Sequence, residues 1–404
     1  MANTLLSPTI ITREALRVLH QQSVFIRSIN RQYDDRFANS GAAPSGKIGP
    51  TLQIRLPNQF TVRTGATMAI QDIAEDKVSL TVGTIKGVDL NFTGVDLTLT
   101  IDEFSDRYLK PSMARLAADI EADALNMVKD VYNFVDQDAT ALAVLHFMQV
   151  GQKLDEALAP DDGDRTALLN PTHNTKFVDA TKGLFNPQAK LGEQYTAGEV
   201  AKSTLGFDSI KRSTLLTQQT TGTCAKTTGY TVNGANQTGS SLLITGGTNT
   251  FLKGDIVTLV GSNAVHPETK ADLGYLRTFT VTADSGASAT TLSISPAIVV
   301  TGAKQNVTAS PTTGQGIVKV GAGASETYTQ SLFYHKDAFT FVSADLEDMS
   351  KYGSWGARQT YDGISMRIWR QGDIINNAVP TRIDVLYGYL TVRPQLACRL
   401  HADG

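Results

Sequence analysis

Apolar residues recur at helical spacing in one long stretch of this chain. Within residues 111–135 they fall three and four positions apart, which is the period of one helix face. Pro111 suits the first turn of a helix, and acidic residues just before it oppose the positive helix end, namely Asp102, Glu103 and Asp106. The pattern predicts one continuous helix of about 37 Å.

Alternating apolar and polar residues predict strands before this helix. The alternation covers residues 52–56, 78–82 and 95–101. The first two segments would be the arms of a long hairpin, whose mixed charges suit either a solvated tip or a contact with another subunit. Deleting residues 69–77 should then leave a folded subunit that cannot join others.

The N-terminal stretch, residues 9–37, has the pattern of an amphipathic helix that Thr12 can cap. It is basic, and the arginines are Arg13, Arg17, Arg27, Arg31 and Arg36. Residues 39–50 are rich in Gly, Ala, Ser and Pro, as linkers are. We expect a helical arm that packs on something else.

A mixed α+β body follows the long helix. Helical patterns cover residues 138–158 and 170–181, and residues 166–169 read as a strand. Residues 214–331 are instead rich in Thr, Gly and Ser, with short strands between turns, which predicts a small β-barrel or sandwich. Strands return at residues 338–342, 364–370 and 381–390. Pro394 should restrict the closing run, residues 387–400, to a sheet edge or a strand end.

Composition is that of an ordinary globular protein, with 404 residues, 41% hydrophobic and 19% charged. The length predicts two or three domains. A net charge of −3 does not demand a nucleic-acid-gripping face. No apolar run is long enough for a membrane span, no secretory signal is expected, and two distant cysteines imply no disulfide framework.

Chemistry-bearing motifs are absent from the sequence. The six histidines lack metal-ligand spacing, and residues 41–48 resemble a phosphate-binding loop but lack the Ser or Thr and the strand–loop–helix context. Asp161, Asp162 and Asp164 could hold a cation loosely, although a solvated turn fits them better. We expect no enzyme activity, no cofactor and no metal.

The order of elements resembles the major capsid proteins of tailed bacteriophages, and its β insertion is similar to coat proteins of the P22 type. Three stretches carry the resemblance: FTGVDLTLTIDEFSDR at 92–107, FDSIKRS at 207–213 and YGYLTVRPQLA at 387–397. The resemblance implies an α+β, HK97-like capsid fold with N-arm, E-loop hairpin, long spine helix, P- and A-domains and an inserted all-β barrel-like domain.

Segment boundaries follow from this layout. Residues 1–46 would be the arm and linker, and residues 47–103 the E-loop hairpin and P-domain strands. Residues 104–220 would be the spine helix and body, 221–330 the inserted domain, and 331–404 the return with the C-terminal strand.

The resemblance also implies a function. Copies would form hexamers and pentamers of an icosahedral shell around double-stranded DNA, held without sequence-specific contacts. A scaffolding protein and a portal would be partners, and a decoration protein is left open. The shell would assemble in the cytoplasm of the host bacterium and belong to the virion. Intersubunit contacts are predicted at charged residues of the arm and hairpin, namely Arg13, Arg17, Arg27, Arg55, Arg63, Asp72, Glu75, Asp76 and Lys77.

Three alternatives remain open at this stage. An encapsulin-like compartment shell shares the capsid fold but would hold enzyme cargo. A virion surface or adhesin protein is suggested by the Thr/Gly-rich segment alone, and a glycan-binding screen of residues 221–329 would separate it. An enzyme is disfavoured because nucleophile, base and orienting group are not found together.

Overall fold

A computed structural model describes residues 8–33, 50–63, 65–68, 70–71, 75–93, 110–137, 142–181, 206–216, 218–321, 323–349, 353, 355–361, 363–372 and 378–402. Its α-helices are α1 (Pro8–Gln22), α2 (Lys110–Leu125), α3 (Val144–Glu156) and α4 (Pro171–Thr181). Its strands are β1 (Thr51–Arg55), β2 (Lys77–Thr81), β3 (Thr84–Thr93), β4 (Phe134–Gln137), β5 (Arg165–Leu169), β6 (Ser209–Arg212), β7 (Gln219–Thr220), β8 (Thr227–Val232), β9 (Gly239–Thr245), β10 (Ile256–Val265), β11 (Asp272–Val281), β12 (Thr291–Ile298), β13 (Gly316–Lys319), β14 (Thr327–His335), β15 (Phe339–Ala344), β16 (Trp355–Tyr361), β17 (Ile364–Arg370), β18 (Ala378–Thr391) and β19 (Ala397–Ala402).

The chain divides into two compact units, of which unit 1 comprises the described parts of Met1–Leu56, Lys77–Ala124 and Phe339–Leu390. Its sheet has the order β15-β18-β17-β16, with β3 on β18. Gly87 of β3 faces Asp384 across the ladder. A Cβ at Gly87 would lie 2.3 Å from the Ile383 carbonyl oxygen, so only glycine fits beside the buried carboxylate.

Unit 2 comprises Pro57–Asp76, Leu125–Ala338 and Thr391–Gly404. Its main sheet runs β4-β19-β14-β5-β6, and β7 pairs with the start of β14. The C-terminal strand β19 therefore lies between β14, to which it is antiparallel, and β4, to which it is parallel. Residues 397–402 therefore lie inside this sheet and contribute to the core of the unit.

A closed barrel follows β7 in unit 2. Its strands are ordered β10-β11-β12-β9-β8-β13, and β13 pairs back on β10. Inward-facing side chains alternate with exposed ones, as the period of a strand requires, and fill the interior: Cys224, Tyr230, Val232, Leu242, Ile244, Phe251, Val257, Leu259, Phe279, Val281, Leu292, Ile294, Ile298, Val307 and Ile317. The interior is thus an apolar core.

Polar contacts seat the barrel on the body of unit 2. The Tyr275 hydroxyl of β11 donates to Glu156 of α3 at 2.6 Å, and the Lys153 ammonium lies 3.1 Å from the centre of the Tyr275 ring. The buried Arg399 guanidinium of β19 donates to the Gly254 carbonyl at 3.0 Å. These contacts connect the barrel both to a helix and to the C-terminal strand.

The prediction of a single helix over residues 111–135 is wrong in its length. The α-helix ends at Leu125, a 3₁₀ turn covers Asn126–Asp130, and β4 begins at Phe134. Sixteen residues give about 24 Å of α-helix. Apolar residues continue at helical spacing, but the β-branched and aromatic side chains of residues 131–135 suit a buried extended segment equally well.

Three smaller predictions also need correction. The first helix ends at Gln22, well before residue 37, and Thr12 lies buried inside it and does not cap it. The predicted helix over residues 138–158 is α3, which begins at Val144. The predicted closing run over residues 387–400 is divided between β18 and β19, because Pro394 begins a 3₁₀ turn between them; the proline therefore stands at a strand end, one of the two predicted positions. Residues 34–49 and 95–109 lie outside the described part.

The buried thiols give a direct test of the two cores of unit 2. Burial raises the pKa of Cys224 in the barrel to about 11 and that of Cys398 in β19 to about 12. Because the thiolate is the reactive species, we expect almost no labelling by a disulfide reagent at pH 8 in the native protein and two thiols after unfolding in urea.

Cys398→Ala leaves Cys224 as a probe of the barrel, and Cys224→Ala leaves Cys398 as a probe of the sheet. Absorbance of the released thiolate measures labelling. Rapid stoichiometric labelling of native protein would contradict the packed barrel interior.

Candidate assembly surface

The N-terminal arm packs its apolar face within unit 1. α1 contacts β16 and β17, and Ala15, Leu16 and Leu19 are buried there. The expectation that this helix buries its apolar residues elsewhere is therefore wrong for α1. Its charged face remains available, because Arg13 and Arg17 are exposed.

A buried carboxylate anchors the chain directly after α1. Glu121 of α2 is 1% exposed, and its two oxygens accept the backbone N–H groups of Val24 at 2.7 Å and Phe25 at 3.1 Å. The Ser23 hydroxyl donates to the Leu19 carbonyl at 3.1 Å, which satisfies a group at the helix end. Sequence spacing gave no sign of this contact, because Glu121 lies about a hundred residues from its partners.

Further polar contacts fix α2 on the sheet of unit 1. The Lys86 ammonium of β3 lies 2.6 Å from Asp119 and 2.7 Å from Asp123, and the Tyr387 hydroxyl donates to Asp123 at 2.6 Å. Burial opposes the charged form of Lys86, but the hydrogen bonds to both carboxylates outweigh it and raise the pKa of the ammonium. Arm, helix and sheet are thus joined by specific bonds.

The predicted hairpin begins as a two-stranded ribbon. β1 and β2 are antiparallel, with Thr51 opposite Thr81 and Arg55 opposite Lys77. One face carries the buried side chains of Ile54 and Leu80. The other is polar and ends in two cations directly opposite each other, an arrangement that destabilises a strand pair.

Beyond the ribbon, Pro57–Asp76 forms what we call the distal segment. Its described residues belong to no strand, and large apolar side chains are exposed along it: Phe60 by 59%, Val62 by 96%, Met68 by 74% and Ile70 by 82%. Monomeric proteins rarely leave such residues clustered in water. These four residues are not among the predicted contacts, which are all charged, although their apolar character is visible among polar neighbours in the sequence.

Side chains give the distal segment its local shape. Gln71 bridges to Thr61, accepting its N–H at 2.9 Å and donating to its carbonyl at 2.6 Å. Arg63 donates to the carbonyls of Gly65 and Thr67. These bonds substitute for a strand ladder, so the segment keeps its turn without a core.

The predicted charged residues fall in different surroundings. Arg27 is exposed on the 3₁₀ turn after α1, and Arg17 is paired with Glu14 of its own helix at 2.7 Å. Glu75 and Asp76 are exposed at the end of the distal segment. Asp76 forms an ion pair with Lys304 of the barrel, a partner that the sequence analysis did not identify. Asp72 lies outside the described residues.

The acidic turn that could hold a cation contains Asp162 and Asp164 beside His335. The Asp337 N–H donates to His335 Nδ1 at 3.2 Å, so the ring proton belongs on Nε2, which faces Asp162 at 3.0 Å. A metal on Nε2 would need to displace that proton and break the bond. The geometry favours a histidine that holds the turn through hydrogen bonds, with Nδ1 accepting and Nε2 donating.

The chain shows clear family similarity. Residues 9–399 match the family model described as "P22 coat protein - gene protein 5". No curated protein sequence gives a significant match. Within the described residues, no helix is both long and apolar enough to cross a membrane.

Several solved structures that resemble this chain have titles that name phages. One titled "Mycobacterium phage Che8" is 13% identical, with 94% of this chain and 90% of that chain covered and a TM-score of 0.49. The "Capsid structure of the Cyanophage P-SCSP1u" is also 13% identical, with coverages of 88% and 85% and a TM-score of 0.44. The "CUS-3 coat protein I-domain" is 26% identical over 23% of this chain and 96% of its own, with a TM-score of 0.19.

The anchor of the arm yields a stability prediction. Glu121→Ala leaves two inward-facing N–H groups without their acceptor, which should lower the free energy of unfolding of unit 1 by about 3 kcal/mol. Both tryptophans of the chain, Trp355 and Trp369, lie in unit 1, so tryptophan fluorescence in a urea titration reports this unit selectively.

Glu14→Ala is the matched control, since it removes an exposed ion pair with Arg17, and exposed pairs contribute little to stability. If the two variants unfold at the same urea concentration, the buried anchor does not have this role.

Proposed function

We propose, because this chain belongs to the P22 coat protein family, that its copies associate into hexamers and pentamers of an icosahedral shell. The protein is a bacteriophage coat protein. In this proposal it has the HK97-like arrangement, with α1 in the N-arm, β1 and β2 in the E-loop, α2 as the spine helix and residues 221–330 as an inserted domain. The shell would enclose double-stranded DNA without reading its sequence.

The exposed apolar residues of the distal segment are the observation that carries the proposal. Burying a large apolar side chain contributes about 1.5–3 kcal/mol, so Phe60, Val62, Met68 and Ile70 together could contribute on the order of 6–12 kcal/mol before association costs. Exposed ion pairs contribute only about 0–1 kcal/mol each. Apolar burial on a second copy would therefore drive the contact, and the charges would set its register.

Other partners follow from family membership and remain part of the proposal. A scaffolding protein would direct assembly, a portal would occupy one vertex, and assembly would take place in the cytoplasm of the host. Arg13, Arg17 and Arg27 are exposed, so in this proposal they can meet a neighbouring subunit, the scaffold or packaged DNA, although Arg17 is also paired with Glu14. Family membership disfavours the compartment-shell and adhesin alternatives.

The distal segment gives the sharpest test. The variant with Phe60, Val62, Met68 and Ile70 all changed to Ser should keep its fold, since these side chains are exposed, yet form no shells. Wild type and variant would be expressed with and without the genes beside the coat gene, then compared by sedimentation and electron microscopy. Point changes are preferable to deleting residues 69–77, because Lys77 belongs to the β2 ladder.

Leu243→Ser with Val260→Ser serves as the control, because these barrel residues are exposed by 50% and 44%. It should assemble normally. Closed shells from the four-residue variant at wild-type yield would refute the role of the distal segment, and wild-type protein that stays monomeric with all its neighbours would refute the coat function.

A further inference from the structure

We infer that one end of the barrel is a seat for the distal segment of the same unit, with Lys304 as its contact, and that this seat orients the distal segment before it meets another subunit. The inference rests on the proposed function. The seat, which we call the end loop, is residues 299–307 between β12 and β13. Lys304 at its tip pairs with Asp76, and both side chains are about half exposed.

The end loop is held rigidly by side chains. The Lys270 ammonium donates to the carbonyls of Pro267 at 2.5 Å and Ala303 at 2.6 Å. Asn306 accepts the Val299 N–H at 3.0 Å and donates to the Ala297 carbonyl at 2.7 Å. A loop without regular structure is thus fixed immediately on both sides of Lys304, which pre-organises its backbone.

The distal segment, in contrast to the end loop, is held only weakly. In the distal segment, the hydrogen bonds described above are local, and its apolar side chains are exposed. Asp76 is the last residue before β2, so a contact there acts on the base of the segment. Because Lys304 is held rigidly and the distal segment is held only weakly, the contact between them can set the direction of the distal segment.

The contact lies at the end of the barrel away from Arg399. Lys319 pairs with Val257 near the start of β10, close to Gly254 where Arg399 binds. The end loop instead lies beside Asn263, whose carbonyl accepts the Thr308 N–H at 3.0 Å. Six residues of strand separate the two levels, about 20 Å, so the barrel and the distal segment meet far from the contact between Arg399 and Gly254.

Zero-length crosslinking of the free, full-length subunit tests the contact. A carbodiimide activates a carboxylate, and an adjacent lysine amine displaces the urea by-product to form an amide. We expect an Asp76–Lys304 amide within one chain, identified by peptide mass spectrometry at low salt. Lys253 and Asp130, 3.0 Å apart, are the internal positive control.

Lys304→Arg keeps the positive charge but supplies no amine that couples, so the amide should disappear from this variant. Lys226, exposed at the opposite end of the barrel, should give no amide with Asp76. A crosslink at Lys253–Asp130 without one at Asp76–Lys304 would overturn the inference.

Charge reversal then tests the consequence for assembly. Asp76→Lys and Lys304→Asp should each slow shell formation up to about fivefold at low salt, the limit for an exposed pair. The double reversal should restore the rate, and at about 1 M salt all four proteins should match because screening removes the interaction.

Circular dichroism checks that each variant is folded. Single variants that form shells at the wild-type rate, or a double reversal that stays slow, would overturn the inference that the end loop orients the distal segment. Wild-type subunits that form no shells would refute the proposed function alone, because the crosslink in the free subunit would still report the seat.

Discussion

The main sheet of unit 2 depends on its last strand. β19 lies between β4 and β14 and hydrogen-bonds to both, so the sheet is incomplete until residues 397–402 are in place. Both pairings of β19 join segments far apart in sequence, and such contacts form slowly because loop closure must come first. The barrel strands, by contrast, pair within residues 227–319, so the barrel can form from more local contacts.

Arg399 extends this dependence to the barrel. Its guanidinium is fully buried and donates to the carbonyl of Gly254, two residues before the start of β10. A buried cation is costly without partners, and the aromatic ring of Phe134, 5.6 Å away, supplies only part of the compensation. The same strand that closes the sheet therefore also positions the barrel, and an error in β19 would disturb both.

Sequence patterns predicted the parts of the fold that local chemistry determines. β17 coincides with the strand predicted at residues 364–370, α4 begins one residue after the predicted start at residue 170, and the closed barrel lies within residues 214–331, where a small barrel or sandwich is predicted. The end of α2 could not be read, because residues 131–135 satisfy helix and strand patterns alike. Glu121 and Lys304 were missed for another reason: each acquires its role from a partner 97 and 228 residues away, and charge alone does not reveal that partner.

The candidate surface combines a weak ion pair with a larger apolar burial, and the difference between their free energies sets the sequence of steps in assembly. The Asp76–Lys304 pair is half exposed and contributes at most about 1 kcal/mol. This is enough to favour one direction of the distal segment several-fold over others. It is too weak to retain the segment once four apolar side chains can be buried on a neighbour, which releases several times more free energy. A weak, rigidly placed contact followed by a strong apolar one lets the subunit present its distal segment in a defined direction without trapping that segment. A buried ion pair or an apolar latch at the same place would hold the segment against its own chain and oppose the association it is meant to prepare.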